Sequence, residues 1–186
     1  IRDSRNTLAR TGTVALLLAD GTLYASLLFG VGFLSVVAPA WPAPASGLST
    51  LPMAVTAALA LAAMAVGLIA AHRAEALRDR AAGTTWAGIG LAACLVALVA
   101  LAGLALGLDD PRRHARDALR AVILGFAVFH GVVTAMLALR SLADARGGRT
   151  SWARRGAAPI WQLFQSFWLG TSAVSLTLIA AQEVLS

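Results

Sequence analysis

The sequence predicts an all-α, polytopic membrane protein with five transmembrane helices, and three observations carry that prediction. Of its 186 residues, 59% are hydrophobic and only 13% are charged, against roughly 25% charged in ordinary soluble domains. The apolar residues gather into five runs, approximately 13–38, 51–71, 84–108, 118–139 and 158–181. Each is close to or above the roughly 20 residues that a helix needs to cross a bilayer. Charges collect in the gaps between the runs, which is the pattern of connecting loops. A very apolar soluble bundle would carry polar stripes along its helices, and these runs mostly lack them. The whole of 1–186 reads as a single membrane domain.

The first run follows a polar, basic opening, IRDSRNTLARTG, and holds one acidic residue, Asp20. The helix it predicts is too long for a signal peptide, and an opening Ile1 fits a removed start or a segment of a longer chain. A carboxyl group is costly in hydrocarbon and normally faces a partner, a water-filled space or the interior of a bundle. Next comes Pro39–Pro52, whose four prolines predict a rigid outer loop. The second run, Leu51 to Ala71, carries no charge at all. The third contains the lone cysteine, Cys94, which can form no disulfide within the chain and reads as a small apolar filler. Gly88 and Gly90 open this run, Gly103 and Gly107 form a small-xxx-small pair near its end, and Gly30 and Gly32 sit in the first. Such residues predict close backbone approach between helices. Trp41, Trp86 and Trp152 fall near predicted boundaries and fit an interfacial aromatic belt. The fourth run holds His130, and the fifth holds Gln162 and Gln165 with Trp161 and Trp168 on one face. Between them, DARGGRTSWARRG reads as a flexible basic loop.

The arginines predict the orientation. Arg2, Arg5, Arg10, Arg73, Arg78, Arg80, Arg140, Arg146, Arg149, Arg154 and Arg155 fall on one side, and Arg112, Arg113, Arg116 and Arg120 on the other. The positive-inside rule then places the N-terminus in the cytoplasm and the C-terminus outside. The net charge of +6 is accounted for by loops facing anionic headgroups, so nucleic-acid binding is excluded as a function class. Haem within a bilayer needs facing histidines. His72 and His114 fall at opposite ends of their runs, and only His130 lies well inside one. No haem pair and no copper or zinc cluster is expected in this chain. For Asp20 two readings stand open, a proton-handling carboxyl group and a helix–helix hydrogen bond that fixes packing. Asp20, His130, Gln162 and Gln165 are together expected to form a polar seam between helices.

Three segments, in order, carry a family resemblance. TGTVALLLADGTLYASLLFGVGF followed by PAWP resembles a helix and loop of haem–copper oxidase subunit III (the cytochrome c oxidase subunit 3 family), which reads T-G-x-x-x-F-x-x-S-E-x-x-x-F-x-x-x-F and then W-P. Asp20 falls at the family's intramembrane glutamate, Tyr24 at its aromatic, and Trp41 and Pro42 at its loop signature. FHGVVTAMLALR resembles the family's H-G-L-H-V-x-x-G, keeping His130 and Gly131. IWQLFQSFWL resembles Y-W-H-F-V-D-V-V-W-L, with Trp161 and Trp168 in register. The departures are equally specific. Asp20 is one methylene shorter than glutamate, Val133 stands at the second histidine, and Gln162 and Gln165 occupy the W-H-F-V-D positions. The chain is thus similar to a short, divergent, five-helix form.

The resemblance implies a non-catalytic integral subunit of a haem–copper terminal oxidase in a bacterial cytoplasmic (inner) membrane. Haem and copper would belong to the partner, subunit I, against which this chain would pack alongside other respiratory subunits. Membrane lipids would be further partners, with bound phospholipid between helices, and the subunit would support proton uptake and stability during oxygen reduction. Two alternatives remain: an accessory subunit of a nitric oxide reductase, and a small proton-coupled transporter.

Overall fold

The structure, a computed structural model, describes residues 2–37, 50–76, 80–107, 115–147 and 151–184. They form five helices: α1 (Arg2–Val37), α2 (Thr50–Ala76), α3 (Arg80–Leu106), α4 (Ala115–Arg146) and α5 (Ser151–Val184). All five are long and apolar enough to cross a membrane. Most run past the apolar segments from which they were expected. An apolar run stops at the first polar side chain, whereas backbone N–H and C=O groups continue to pair within the helix into the interfacial region. Thus α1 includes the polar opening from Arg2. The basic segment expected as a flexible loop is largely helical, with α4 reaching Arg146 and α5 resuming at Ser151. The Gly147 N–H donates to the Ala143 carbonyl at 2.8 Å and closes the end of α4. Pro52 lies in the first turn of α2, where its missing N–H costs no hydrogen bond. Trp41 and Pro42, with the rest of the connection from 38 to 49, lie outside the described residues.

Helices α2 to α5 close into a four-helix bundle in which α2 packs on α3, α3 on α4, α4 on α5, and α5 back on α2. Helix α1 stands outside this ring, against α5 and α4. Of the most apolar stretch of α1, 11% is buried, compared with 28% to 44% in the other four helices. The core inside the ring is alanine-rich, with Met64, Leu101, Trp161 and Trp168 as its large side chains.

Helix α5 organises that core. Trp161 fills the space over Gly90 of α3, and Gln165 lies over Gly67 of α2. Trp168 lies over Gly131 of α4 beside Leu98 of α3. A methyl group at Gly67 would sit 2.7 Å from the Gln165 amide nitrogen, and one at Gly131 would sit 2.6 Å from the Trp168 ring. Small residues matter here because lipid gives helices no solvent-driven reason to associate, so close van der Waals packing must hold them. Among the glycines expected to pack, Gly90 meets a neighbour closely, whereas Gly30, Gly32, Gly88 and Gly103 have nothing within 4 Å of a built Cβ. Trp86 is partly buried against the core, and the Trp152 side chain lies outside the described residues.

A pair of substitutions separates packing glycines from merely frequent ones. Gly131→Ala is expected to destabilise the bundle by about 1–3 kcal/mol through overpacking against Trp168. Gly103→Ala should stay within about 0.5 kcal/mol, as exposed substitutions do. Unfolding of both variants in the same mixed micelle, followed by helical circular dichroism, makes the comparison.

Candidate functional site

The polar groups of the membrane interior fall into separate clusters. The first joins α1 to α4. His130 lies in the middle of α4 with its side chain 2% exposed, and its Nε2 is 3.2 Å from Oδ2 of Asp20, whose side chain is 26% exposed. The other ring nitrogen, Nδ1, is 2.9 Å from the carbonyl oxygen of Phe126, one turn earlier on α4. A carbonyl only accepts, so Nδ1 is the donor in the tautomer or protonation state that makes this bond. Nε2 faces the carboxyl group as a lone pair accepting from a protonated Asp20, or as an N–H donating to the carboxylate, the latter in the neutral Nε2–H tautomer as well as in imidazolium.

An aromatic shell surrounds this pair. The Phe126 ring lies 4.1 Å from the imidazole between centroids, Phe167 of α5 lies 5.3 Å from it, and Phe129 lies 5.4 Å from it edge-on. Tyr24, one turn along α1 from Asp20, stacks on Phe126 at 5.3 Å. Its hydroxyl donates to the Thr171 carbonyl and shares a hydrogen bond with the Ser175 hydroxyl, both at 2.7 Å. Gly21 admits Phe167 to ordinary van der Waals contact, 3.8 Å from a built Cβ. Asp20, Gly21 and Tyr24 are thus the face that α1 turns to the bundle. Thr171 and Ser175, four residues apart on α5, had no sequence signal beyond that spacing.

The glutamines make their bonds elsewhere. Gln165 is fully buried; its amide donates to the Met64 carbonyl at 2.8 Å, and its oxygen accepts from the Cys94 thiol at 3.3 Å. Cys94, expected as an apolar filler, is a hydrogen-bond donor linking α3 to α5. Gln162 lies at the α2 side of the bundle, where its amide donates to Nδ1 of His72 at 3.2 Å. Asp20 and His130 meet, while Gln162 and Gln165 bind groups on α2 and α3, so the four do not make one seam. His114 lies outside the described residues. Among the described residues, no three His, Cys, Asp or Glu side chains gather as a metal-binding group would require.

Among the arginines whose burial is described, exposure sorts by helix end, while Asp144, beside the exposed Arg140, is buried. Arg10, Arg73, Arg140 and Arg146 are exposed. Arg116, Asp117 and Arg120, in the first turns of α4, are buried, with Arg116 Nε 3.8 Å from Asp117 Oδ1.

Two substitutions on α5 rank shape against hydrogen bonding. Trp168→Ala should cost about 3–5 kcal/mol by emptying the space over Gly131. Gln165→Met, which keeps length and loses both amide bonds, should cost about 1.2 kcal/mol, twice the roughly 0.6 kcal/mol average for one polar contact between membrane helices. Steric trapping or denaturation in bicelles supplies both values.

No family model matches this chain, and no curated protein matches it.

Proposed function

We propose that this chain is a non-catalytic integral subunit of a haem–copper terminal oxidase, with its N-terminus in the cytoplasm and its place in a bacterial inner membrane. It packs against the catalytic subunit, which holds the haems and copper, and sustains that subunit's proton uptake during oxygen reduction. The observation that carries this reading is the meeting of Asp20 and His130 across 3.2 Å. These residues come from two segments that resemble subunit III, 110 positions apart in the chain. The third segment contributes Trp161 and Trp168, whose rings fill the spaces over Gly90 and Gly131, and Gly131 is itself the glycine of the second segment. Asp20, His130, Gly131 and Trp168, drawn from all three segments, are therefore joined through space. An intramembrane acid–imidazole pair also suits a subunit concerned with protons, because such groups mark proton routes in many membrane proteins.

The test is purification through this chain in mild detergent, with reduced-minus-oxidised spectra and peptide identification of what accompanies it. A haem–copper catalytic subunit with oxygen-reductase spectra is expected. In that complex, Asp20→Asn should shorten the enzyme's working life during turnover or slow its proton uptake. A nitric oxide reductase as the companion would move the same architecture to the related enzyme. A haem-free chain purifying as a homo-oligomer would overturn the proposal and favour a proton-coupled transporter.

A further inference from the structure

We infer that a transmembrane helix of the catalytic subunit docks on the outer mouth of the crevice between α1 and α4, presenting a hydrogen-bond donor to Asp20. The identity of that subunit rests on the function proposed above; the face and its chemistry are read from α1 and α4 themselves. The first support is depth. Asp20 lies near the centre of the apolar span Leu8–Leu34, and His130 near the centre of Ala115–Arg146. The pair therefore sits at mid-membrane, where lipid chains offer no hydrogen bond and an unsatisfied polar group is costly.

The second support is what the pair leaves open. Oδ2 of Asp20 meets Nε2 of His130, and among the described residues Oδ1 has no donor. His130 is enclosed, yet 26% of the Asp20 side chain is exposed. A carboxyl group keeps an accepting oxygen whether ionised or protonated, so this demand for a donor does not depend on its charge. Outward hydroxyls of α1 make no such demand: Thr22 donates to the Ala19 carbonyl and Ser26 to the Thr22 carbonyl. An acceptor cannot be satisfied in that way, because the backbone already uses every N–H in the middle of a helix.

The third support is the set of walls around Asp20. Successive residues turn by about 100°, so Gly21 faces Phe167 of α5 while Asp20 faces α4. Further round in the same sense come Leu16 and Leu23. On α4, Gly131 turns inward to Trp168, His130 turns to α1, and Phe129 turns outward with its ring 5.4 Å from the imidazole. Leu16, Leu23 and Phe129 are each more than half exposed. They wall a seam with a carboxyl oxygen at its floor. The occupant that matches is an apolar helix interrupted at mid-span by Ser, Thr, Asn or Gln, the residues that hydrogen-bond between membrane helices. Lipid suits the walls and offers nothing to Oδ1 at this depth. A second copy docking through the same seam would set one acceptor against another.

A benzophenone side chain at Phe129 or Leu23 of the full chain, photolysed in native membranes, tests the inference. Both positions are expected to crosslink a transmembrane segment of the catalytic subunit within one turn of a mid-span Ser, Thr, Asn or Gln. The same probe at Val99, exposed on α3, should not reach that segment. Asp20→Leu should lower the yield at Phe129 by about threefold or more, and Asp20→Asn, which keeps an accepting oxygen, should retain it. Adducts with lipid alone, or with a second copy of this chain, where the catalytic subunit is present would overturn the docking face and leave the proposed function standing. That result is read with Asp20 intact, however the variants fold. An unchanged yield in Asp20→Leu would also overturn the inference, by removing the donor from the contact. Absence of any haem–copper companion from the same membranes would overturn the function and this partner together.

Discussion

Helices in hydrocarbon gain almost nothing by hiding apolar surface from one another, so this bundle depends on how closely backbones can approach. Along α5, Trp161, Gln165 and Trp168 lie over glycines of three different helices. Each large side chain occupies volume that a methyl group on the facing helix would take. The two indoles supply contact area, and the amide between them supplies direction by linking α5 to the Met64 carbonyl and the Cys94 thiol. Spacings of four and three residues put all three on one face of the helix. This face fixes the rotation of α5 relative to α2, α3 and α4 at once, and the Ala-rich core fills in around it.

Helix α1 obeys a different rule. It is docked by polar and aromatic contacts at one level, between Asp20 and Tyr24, with little burial before them. These contacts are separate from those that close the ring of the other four helices. The polar contacts of α5 inside the ring involve an amide, a thiol and a backbone carbonyl, none of which needs a carboxyl proton. The division between a closed four-helix ring and a fifth helix docked outside it is the main architectural fact about this chain.

Much of this was legible in the residues. Five spans follow from length and composition, and Asp20 and His130 stand out because charge and imidazole are rare in apolar runs. Their meeting was expected as part of a four-residue seam, but its restriction to these two was not legible, because the period of one helix says nothing about its rotation relative to another. The same gap explains Gln162 and Gln165. They are close neighbours on α5 yet turn to different partners, His72 in one case and Met64 with Cys94 in the other. Gly103 and Gly107 carry a recognised packing spacing, but Gly103 meets nothing across it, whereas isolated Gly67 and Gly131 receive side chains from α5. The helices outrun the apolar runs for a simpler reason: Arg2 and Arg146 are polar, and the backbone does not register polarity when it closes a hydrogen bond.

His130 and Gly131 are consecutive, and neighbours on a helix point about 100° apart. One of them offers an imidazole to α1 while the next receives an indole from α5. Steric fit on one side of α4 therefore sets the bearing of the imidazole on the other. An error of volume at Gly131 would reach Asp20 as an error of angle, without any change to either member of the acid–imidazole pair.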